Sequence, residues 1–220
     1  VTEDTVDGYT TAIRGYDITN SYTPGKTSIT VTKAWDDADN QDGLRAKSIR
    51  VQLKANGTAK GEAVELNAAN NWSYTWEDLD KKENKTDIVY TVEETGTVKG
   101  YTATVTGSAT AGFTVTNTHT PEKISVSGSK SWNDADDQDG KRPKSITVRL
   151  LANGKEVASK AVTADDDWKY TFDNLDKYAK GQLITYTVTE DTVDGYTIAI
   201  SGYDITNSYT PGKTSITVTK

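Results

Sequence analysis

The 220-residue sequence has no cysteine and no methionine, and it has only four prolines, two phenylalanines and one histidine. Without cysteine the chain can form neither a disulfide nor a thiolate nucleophile, and the one histidine, His119, has no cysteine or second histidine to join in holding a metal. No other nucleophile motif replaces them. We therefore expect no enzyme with turnover, no cofactor and no metal site.

Apolar residues are also scarce, at 34% of the chain, so each folding unit is expected to have one thin core. No apolar run approaches the ~20 residues of a membrane-spanning helix, and membrane insertion is not expected. The net charge of −7 disfavours nucleic acid as a partner. Neither a signal peptide nor a starting methionine is present, as expected for an internal piece of a longer protein.

What the sequence does have is repetition. Residues 1–33 recur as residues 188–220 with differences only at Thr11/Ile198 and Arg14/Ser201, and the stretch DITNSYTPGKTSITVTK is identical in both copies. The period of 187 residues is far longer than the roughly 20 to 50 residues of ankyrin-type or tetratricopeptide repeats. This pattern indicates duplication of whole domains.

A weaker repeat lies within that period. Residues 31–57 align with residues 127–154, and the segments NNWSYTWEDLDK and DDWKYTFDNLDK also correspond. Modules of about 90 to 95 residues follow, within the usual range of domains. The predicted boundaries are the C-terminal part of a preceding module, two complete modules and the first strand of a following module, at 1–24, 27–121, 122–211 and 212–220.

Each module has the composition of a β sandwich. Threonine, valine, isoleucine, tyrosine and tryptophan are abundant, turn residues recur about every ten positions, and helix signals are weak. Small all-β modules outside the cell often depend on disulfides for stability. Because cysteine is absent, the protein is either intracellular or stabilised by some other cross-link.

Three polar residues recur at equivalent places in the two modules. A lysine stands two positions before a tryptophan in the first strand, a glutamate is the fifth residue of a strand that begins YTV, and an asparagine lies in a closing VTN or ITN. They are Lys33, Glu94 and Asn117 in the first module, and Lys130, Glu190 and Asn207 in the second. From spacing alone such residues would be solvent-facing, although asparagine is a poor strand former.

Four motifs in fixed order resemble a known family. They are the opening KxWDDxxxQDG, the middle WxYx[FW]xxL, the strand YTVxE and the closing TNxxTP, and together they cover essentially the whole chain. The pattern is similar to the Cna B-type domains found in the B regions of staphylococcal collagen adhesins. The resemblance implies tandem reversed-immunoglobulin β sandwiches that form stalks of Gram-positive surface proteins. Leu44 and Ala46 depart from the Lys and Pro of the second module's DGKRP turn.

The resemblance also implies a role for the three recurring residues. Many such domains form a spontaneous amide bond between a lysine of the first strand and an asparagine of the last, assisted by an acidic residue. Burial would make the lysine amine neutral and nucleophilic and the glutamate protonated, so that it can act as a proton relay. The expected bonds join Lys33 to Asn117 and Lys130 to Asn207.

The chain ends carry unmatched counterparts of these residues. Glu3 and Asn20 have the 17-residue spacing of Glu190 and Asn207, and Lys220 corresponds to Lys33. Their missing partners would lie in neighbouring modules. We expect none of the three to react within this chain.

The acidic loops DDADNQDG and NDADDQDG raise the alternative of calcium binding. Aligned with an EF-hand loop on Gly43 and Gly140, both have alanine, Ala38 and Ala135, where the first ligand is required. An Asx-rich turn between two strands is the favoured interpretation.

The expected function is structural. The modules would form a stalk at the bacterial cell wall, outside the cell, that joins adjacent repeats to an unseen N-terminal adhesive head and through it to a host extracellular matrix. The alternative is a binding module whose loops recognise a matrix protein or glycan. Near-identity over the 187-residue period disfavours a dedicated single site, although many weak sites could act together.

Overall fold

The computed structural model describes all residues, 1–220, and its regular secondary structure consists of β-strands and two short 3-10 turns. The chain divides into two compact units. The first comprises Val1–Asp39 and Leu44–His119, and the second comprises Asn40–Gly43 and Thr120–Lys220. No helix has the length and apolar character needed to cross a membrane.

The first unit has twelve strands and a 3-10 turn at Ala68–Asn70. The strands are β1 (Thr10–Arg14), β2 (Asp17–Ser21), β3 (Lys26–Asp36), β4 (Ser48–Ala55), β5 (Thr58–Ala59), β6 (Val64–Asn67), β7 (Ser73–Asp80), β8 (Lys82–Glu83), β9 (Thr86–Asp87), β10 (Tyr90–Thr95), β11 (Thr102–Ser108) and β12 (Gly112–Thr118).

Two sheets enclose the core of this unit. One has the order β11-β12-β3-β7, and the other is built on β4, which pairs with β10, β5 and β6. Most neighbours are antiparallel, but the first strand of the sandwich, β3, runs parallel to the last, β12. The predicted all-β sandwich is confirmed, and its first and last strands are direct neighbours.

The second unit repeats this plan, with a 3-10 turn at Ala164–Asp166. Its strands are β13 (Lys123–Asn133), β14 (Ser145–Ala152), β15 (Lys155–Thr163), β16 (Lys169–Asp176), β17 (Tyr178–Ala179), β18 (Gln182–Leu183), β19 (Tyr186–Glu190), β20 (Thr197–Ser201) and β21 (Asp204–Ser208). One sheet has the order β16-β13-β21-β20 and the other β15-β14-β19, and β13 is parallel to β21.

The alternation of side chains along β3 explains how a lysine comes to lie in an apolar core. Successive residues of a strand point to opposite faces, so Ile29, Val31 and Lys33 share one face, and all three are buried. The thin core that composition predicts is present, with eleven buried apolar residues in the first unit and ten in the second. The lysine therefore takes a core position in an otherwise regular pattern.

The two end segments differ from each other. Residues 10–21 form the exposed hairpin β1-β2, which has the register of the β20-β21 hairpin of the second unit. After Ser208 the structure contains no strand, so residues 212–220, assigned from the sequence to the first strand of a following module, form none within this chain. A strand needs a hydrogen-bonded neighbour, and none lies beside this segment.

Candidate functional site

The parallel pairing of first and last strands brings the predicted lysine and asparagine together. In the first unit Lys33 is opposite Val115, and Asn117 lies two residues further along the same face of β12. In the second unit Lys130 is opposite Ile205, two residues before Asn207. Each lysine is therefore one side-chain position from its asparagine on the neighbouring strand.

The glutamate reaches the same place from the opposing sheet. Glu94 Oε1 accepts a hydrogen bond of 3.1 Å from Asn117 Nδ2, and Glu190 Oε1 accepts one of 3.2 Å from Asn207 Nδ2. Lys130 Nζ is 3.6 Å from the same oxygen of Glu190. One carboxyl oxygen of Glu190 thus contacts both the amine and the carboxamide.

Burial gives these groups unusual protonation. Lys33 is 8% exposed and Lys130 is 4% exposed, and burial lowers the pKa of each amine to about 8. Burial also raises the pKa of the Glu190 carboxyl, against the opposing effect of Lys130. Because a low-dielectric site favours neutral forms, the amine and the carboxylic acid are both driven toward neutrality.

Each site also contains buried polar atoms without a hydrogen-bond partner. They are the second carboxyl oxygen of the glutamate and the amide oxygen of the asparagine, namely Glu94 Oε2 and Asn117 Oδ1, and Glu190 Oε2 and Asn207 Oδ1. Native proteins pair nearly all such buried atoms. A protonated glutamate could supply the missing donor, because a carboxylic acid has one O–H.

A tryptophan covers each lysine. Lys33 Nζ is 3.8 Å from the ring centroid of Trp35, and Lys130 Nζ is 4.0 Å from that of Trp132. Lysine and tryptophan are two residues apart in a strand and therefore lie on the same face. The Lys-x-Trp spacing in the sequence is a signal from which this contact could have been predicted.

Asp134 is a buried acidic residue next to the site of Lys130, and it was not identified from the sequence. Arg142 donates to Asp134 from Nε and Nη2 at 3.0 and 2.7 Å, and the Tyr196 hydroxyl donates at 2.9 Å. The Arg142 guanidinium carbon is 5.5 Å from the Trp132 ring centroid. Arg142 holds the pKa of the Asp134 carboxyl well below its usual range.

The first unit has the same Asp–Arg–Tyr cluster. Arg45 donates to both carboxyl oxygens of Asp37 at 3.0 and 2.6 Å, and the Tyr101 hydroxyl donates at 2.8 Å. The Asp-to-Arg separation of eight residues is shared by both acidic loops and was a usable signal. These aspartates, which belong to the segments compared above with calcium loops, are engaged with arginine.

The unmatched residues at the chain ends differ in what they contact. Glu3 Oε1 accepts a 2.8 Å hydrogen bond from Asn20 Nδ2, the same contact that Glu190 makes with Asn207. Thr11 Oγ1 lies 2.6 Å from Asn20 Oδ1. All three residues are exposed, and so is Lys220. A glutamate–asparagine pair therefore forms here outside any buried core.

The remaining aromatic residues are mainly structural. Trp72 and Trp168 are half-buried against the two cores and stack edge-on against Trp35 and Trp132. His119 is also half-buried, because its ring packs on Tyr101 and its Nδ1 lies 2.8 Å from the Gly100 carbonyl oxygen.

The chain is a tandem pair of reversed-immunoglobulin-like β sandwiches, and in each one the parallel first and last strands bring a lysine and an asparagine to a glutamate of the opposing sheet. The family model described as the Cna protein B-type domain matches residues 29–118 and 126–208. The chain belongs to this family.

Relatives agree with this assignment. The chain is 54% identical over its full 220 residues to a collagen adhesin of Staphylococcus aureus, of which it spans 19%. It is also similar to the crystal structure of two B repeat units of the S. aureus collagen binding protein, with 52% identity, 95% of this chain and 56% of that chain covered, and a TM-score of 0.80.

Proposed function

We propose that each complete sandwich forms one intramolecular isopeptide bond, Lys33 to Asn117 and Lys130 to Asn207, and that the repeats serve as a stalk. The observation that carries this proposal is the contact of Glu190 Oε1 with both Lys130 Nζ and Asn207 Nδ2, at 3.6 and 3.2 Å, in a fully buried setting. The equivalent glutamate–asparagine contact in the first unit supports the same role for Glu94.

The reaction is an exchange of amides. The neutral lysine Nζ attacks Cγ of the asparagine, a C–N bond forms, and the original bond from Cγ to Nδ2 breaks. The amide nitrogen takes up one proton and leaves as ammonia, while the lysine nitrogen loses one. No oxidant, metal or cofactor is needed, and the reaction occurs once per sandwich.

Glu190 is placed to move those protons. As an acid it can donate to the carboxamide and stabilise the developing charge on the oxygen, and as a carboxylate it can accept the proton that Nζ gives up. Folding holds amine and carboxamide in neighbouring positions of two paired strands. Such positioning can supply roughly 7 to 11 kcal/mol of the barrier.

The bond would act as the cross-link that cysteine does not provide. It would close loops of 84 and 77 residues, for which the chain-entropy account of cross-links suggests about 4 to 5 kcal/mol of stabilisation each. A thin apolar core would gain considerably from such a link, because domain stabilities are only about 5 to 15 kcal/mol.

The link would also suit a load-bearing stalk at the surface of a Gram-positive cell. Because it joins the first strand to the last, tension would pass from β3 to β12 through the new bond. The body of the sandwich between them would carry none of it. Adhesion itself we assign to a separate head of the parent protein, which would be held away from the cell wall.

Single-molecule pulling on the ends of the chain tests this role. The parent chain should show no unfolding step for either linked body. Lys33→Met should add one step, because the released 84 residues can extend by roughly 280 to 300 Å. Lys26→Met, which alters an exposed lysine at the start of β3, is the matched control and should leave the trace unchanged. Unfolding steps of this length in the parent chain would show that tension does not pass through the proposed bonds.

Immobilised chain exposed to matrix proteins and glycans separates a stalk from the alternative of a binding module. A stalk should retain none of them. Saturable binding of one matrix protein or glycan to the immobilised chain, lost when loop residues are substituted, would favour the binding module.

A further inference from the structure

The sequence Gln-Asp-Gly occurs in both acidic loops, and in the second unit its aspartate binds a backbone amide. Asp139 Oδ2 accepts hydrogen bonds from Gly212 N at 2.9 Å and from the Tyr209 hydroxyl at 3.0 Å. Residues Asn40–Gly43 belong to the same unit. Within them, Asp42 Oδ2 accepts a hydrogen bond from Glu122 N at 2.8 Å. Gly212 and Glu122 each follow a Thr-Pro pair directly.

The other two residues of the 41–43 loop also make specific contacts in that unit. Gln41 Nε2 donates to Asp176 Oδ1 at 2.8 Å, and the Gln41 carbonyl oxygen accepts from Gly181 N at 2.9 Å. Gly43 approaches Gly181 so closely that a Cβ on Gly43 would lie 2.6 Å from the Gly181 Cα. Each of the three residues of this loop therefore makes its own contact with the rest of the second unit.

The first unit presents a matching surface at an open pocket of about 570 Å³. The pocket is lined by Tyr22, Pro24, Gly25, Lys81, Lys82 and Lys85. The segment SYTPGK of residues 21–26 is identical to residues 208–213, which makes Tyr22 and Gly25 the counterparts of Tyr209 and Gly212.

Two further residues, one next to Lys81 in sequence and one in the pocket lining, have counterparts in the second unit. Asp80 corresponds to Asp176, and each ends its strand beside a salt-bridged lysine. Lys85 corresponds to Gly181 and has the same left-handed backbone, with φ of 71° against 74°. The backbone donor and the carboxylate that hold Gln41 are thus both represented.

We propose that this pocket receives the Gln-Asp-Gly loop of residues 138–140 from another copy of the repeat, as would occur between successive periods of a tandem array. In such an array Tyr22 and Gly25 of the second period take the places of Tyr209 and Gly212, so Asp139 keeps the contacts that it has in the single chain. The new contacts would be those of the loop with the lysines of the pocket and of Gln138 with Asp80. The charges are complementary, because the loop carries Asp136, Asp137 and Asp139 and the pocket carries three lysines.

One sequence difference, Lys85 in place of Gly181, distinguishes this pocket from the site in the second unit that holds residues 41–43. A Cβ at Gly181 would lie 3.1 Å from the Gly43 Cα, so the Cβ of Lys85 requires a shift of a few tenths of an ångström. In return, the Lys85 amine adds a positive charge beside an acidic loop. Docking at this pocket should therefore weaken as salt increases.

The test uses an array of two periods, residues 1–187 joined to residues 1–220, compared with the single chain. Acylation of Lys81, Lys82 and Lys85 of the second period should be about tenfold slower than in the single chain, because the docked loop covers their amines. Asp139→Ala in the first period should restore fast acylation, and Asp136→Asn in the same loop should not.

Equal acylation of these lysines in the array and the single chain, or protection that survives Asp139→Ala, would overturn the proposal. The inference depends on the array arrangement of the proposed function but not on the isopeptide bonds. Intact mass reports those bonds separately, so failure of one proposal is distinguishable from failure of the other.

Discussion

Lys130 Nζ lies 3.6 Å from Glu190 Oε1, and both side chains are completely buried. An ion pair in this position would lose the hydration of both charges, and burial instead lowers the pKa of the lysine and raises that of the glutamate. Both shifts favour the neutral amine and the carboxylic acid over the ion pair. Amide exchange with Asn207 requires those two protonation states.

The acid should be essential to the reaction while its neighbour is not. Glu94→Gln keeps the lysine, the asparagine and a hydrogen-bonding side chain but removes the group that carries protons, so the chain should lose one ammonia instead of two. Glu93→Gln is the matched control, because Glu93 is the preceding residue of the same strand, is exposed and pairs with Lys54. Intact mass reports both variants, and normal linkage in Glu94→Gln would assign the relay to another group.

Stability of an unlinked second unit should increase with pH in the alkaline range. In Asn207→Ala no bond can form, and Lys130 keeps a pKa of about 8 in the folded state against 10.5 when unfolded. Between these values the unfolded chain binds a proton that the folded chain does not, so the free energy of unfolding rises with pH.

Denaturant unfolding from pH about 8 to about 10.5 measures this effect. The double variant Lys130→Met/Asn207→Ala lacks the titrating amine and should show a smaller rise. Parallel curves for the two variants would mean that Lys130 is not a depressed amine.

Much of the site could be predicted from the sequence, because its signals are local and repeated. Lys33 interrupts an alternating strand two residues before Trp35, and Asn117 stands where a strand former is expected. The cluster of Asp37, Arg45 and Tyr101 could not be derived in the same way. Its tyrosine is 64 positions from the aspartate, and only folding brings them together.

Residues 212–220, which the sequence assigns to the first strand of a following module, show how strand formation depends on neighbours. Its sequence is identical to residues 25–33, most of which lie in β3, yet the structure has no strand there. Strand propensity is expressed through pairing and packing against neighbours. Identical residues without a neighbouring strand therefore do not adopt the same structure.

The cross-link should dominate the thermal stability of the second unit. Lys130→Met removes the amine but keeps an apolar side chain of similar length, so the loss should mainly reflect the missing bond. A loss of about 4 to 5 kcal/mol corresponds to a decrease of roughly 15 to 40 °C in the melting temperature of a module of this size.

Calorimetry of the whole chain should show this decrease in one transition only, since distant sites act almost independently. Lys123→Met, which removes a half-exposed ion pair with Asp176, is the matched control and should cost less than about 1 kcal/mol. Equal melting of Lys130→Met and the parent would show that the bond, if formed, does not stabilise the fold.

Arg142, which pairs with the buried Asp134, should contribute far more to stability than the exposed Arg149. Arg142→Met leaves the Asp134 carboxylate buried at 1% exposure without its bidentate partner, and we expect a loss of about 3 kcal/mol. Arg149→Met breaks two exposed ion pairs, with Asp191 and Glu156, and should cost less than about 1 kcal/mol. Urea unfolding at neutral pH compares them, and equal losses would argue against a structural role for the Asp134 cluster.

The most direct test of the account is the intact mass of the folded chain, followed by peptide mapping. If both isopeptide bonds form, the mass should lie below that of the sequence by two ammonias, with linked peptides that join Lys33 to Asn117 and Lys130 to Asn207. A mass equal to that of the sequence would show that neither bond forms. A third ammonia lost, or any linked peptide containing Asn20 or Lys220, would contradict the assignment of the reacting residues.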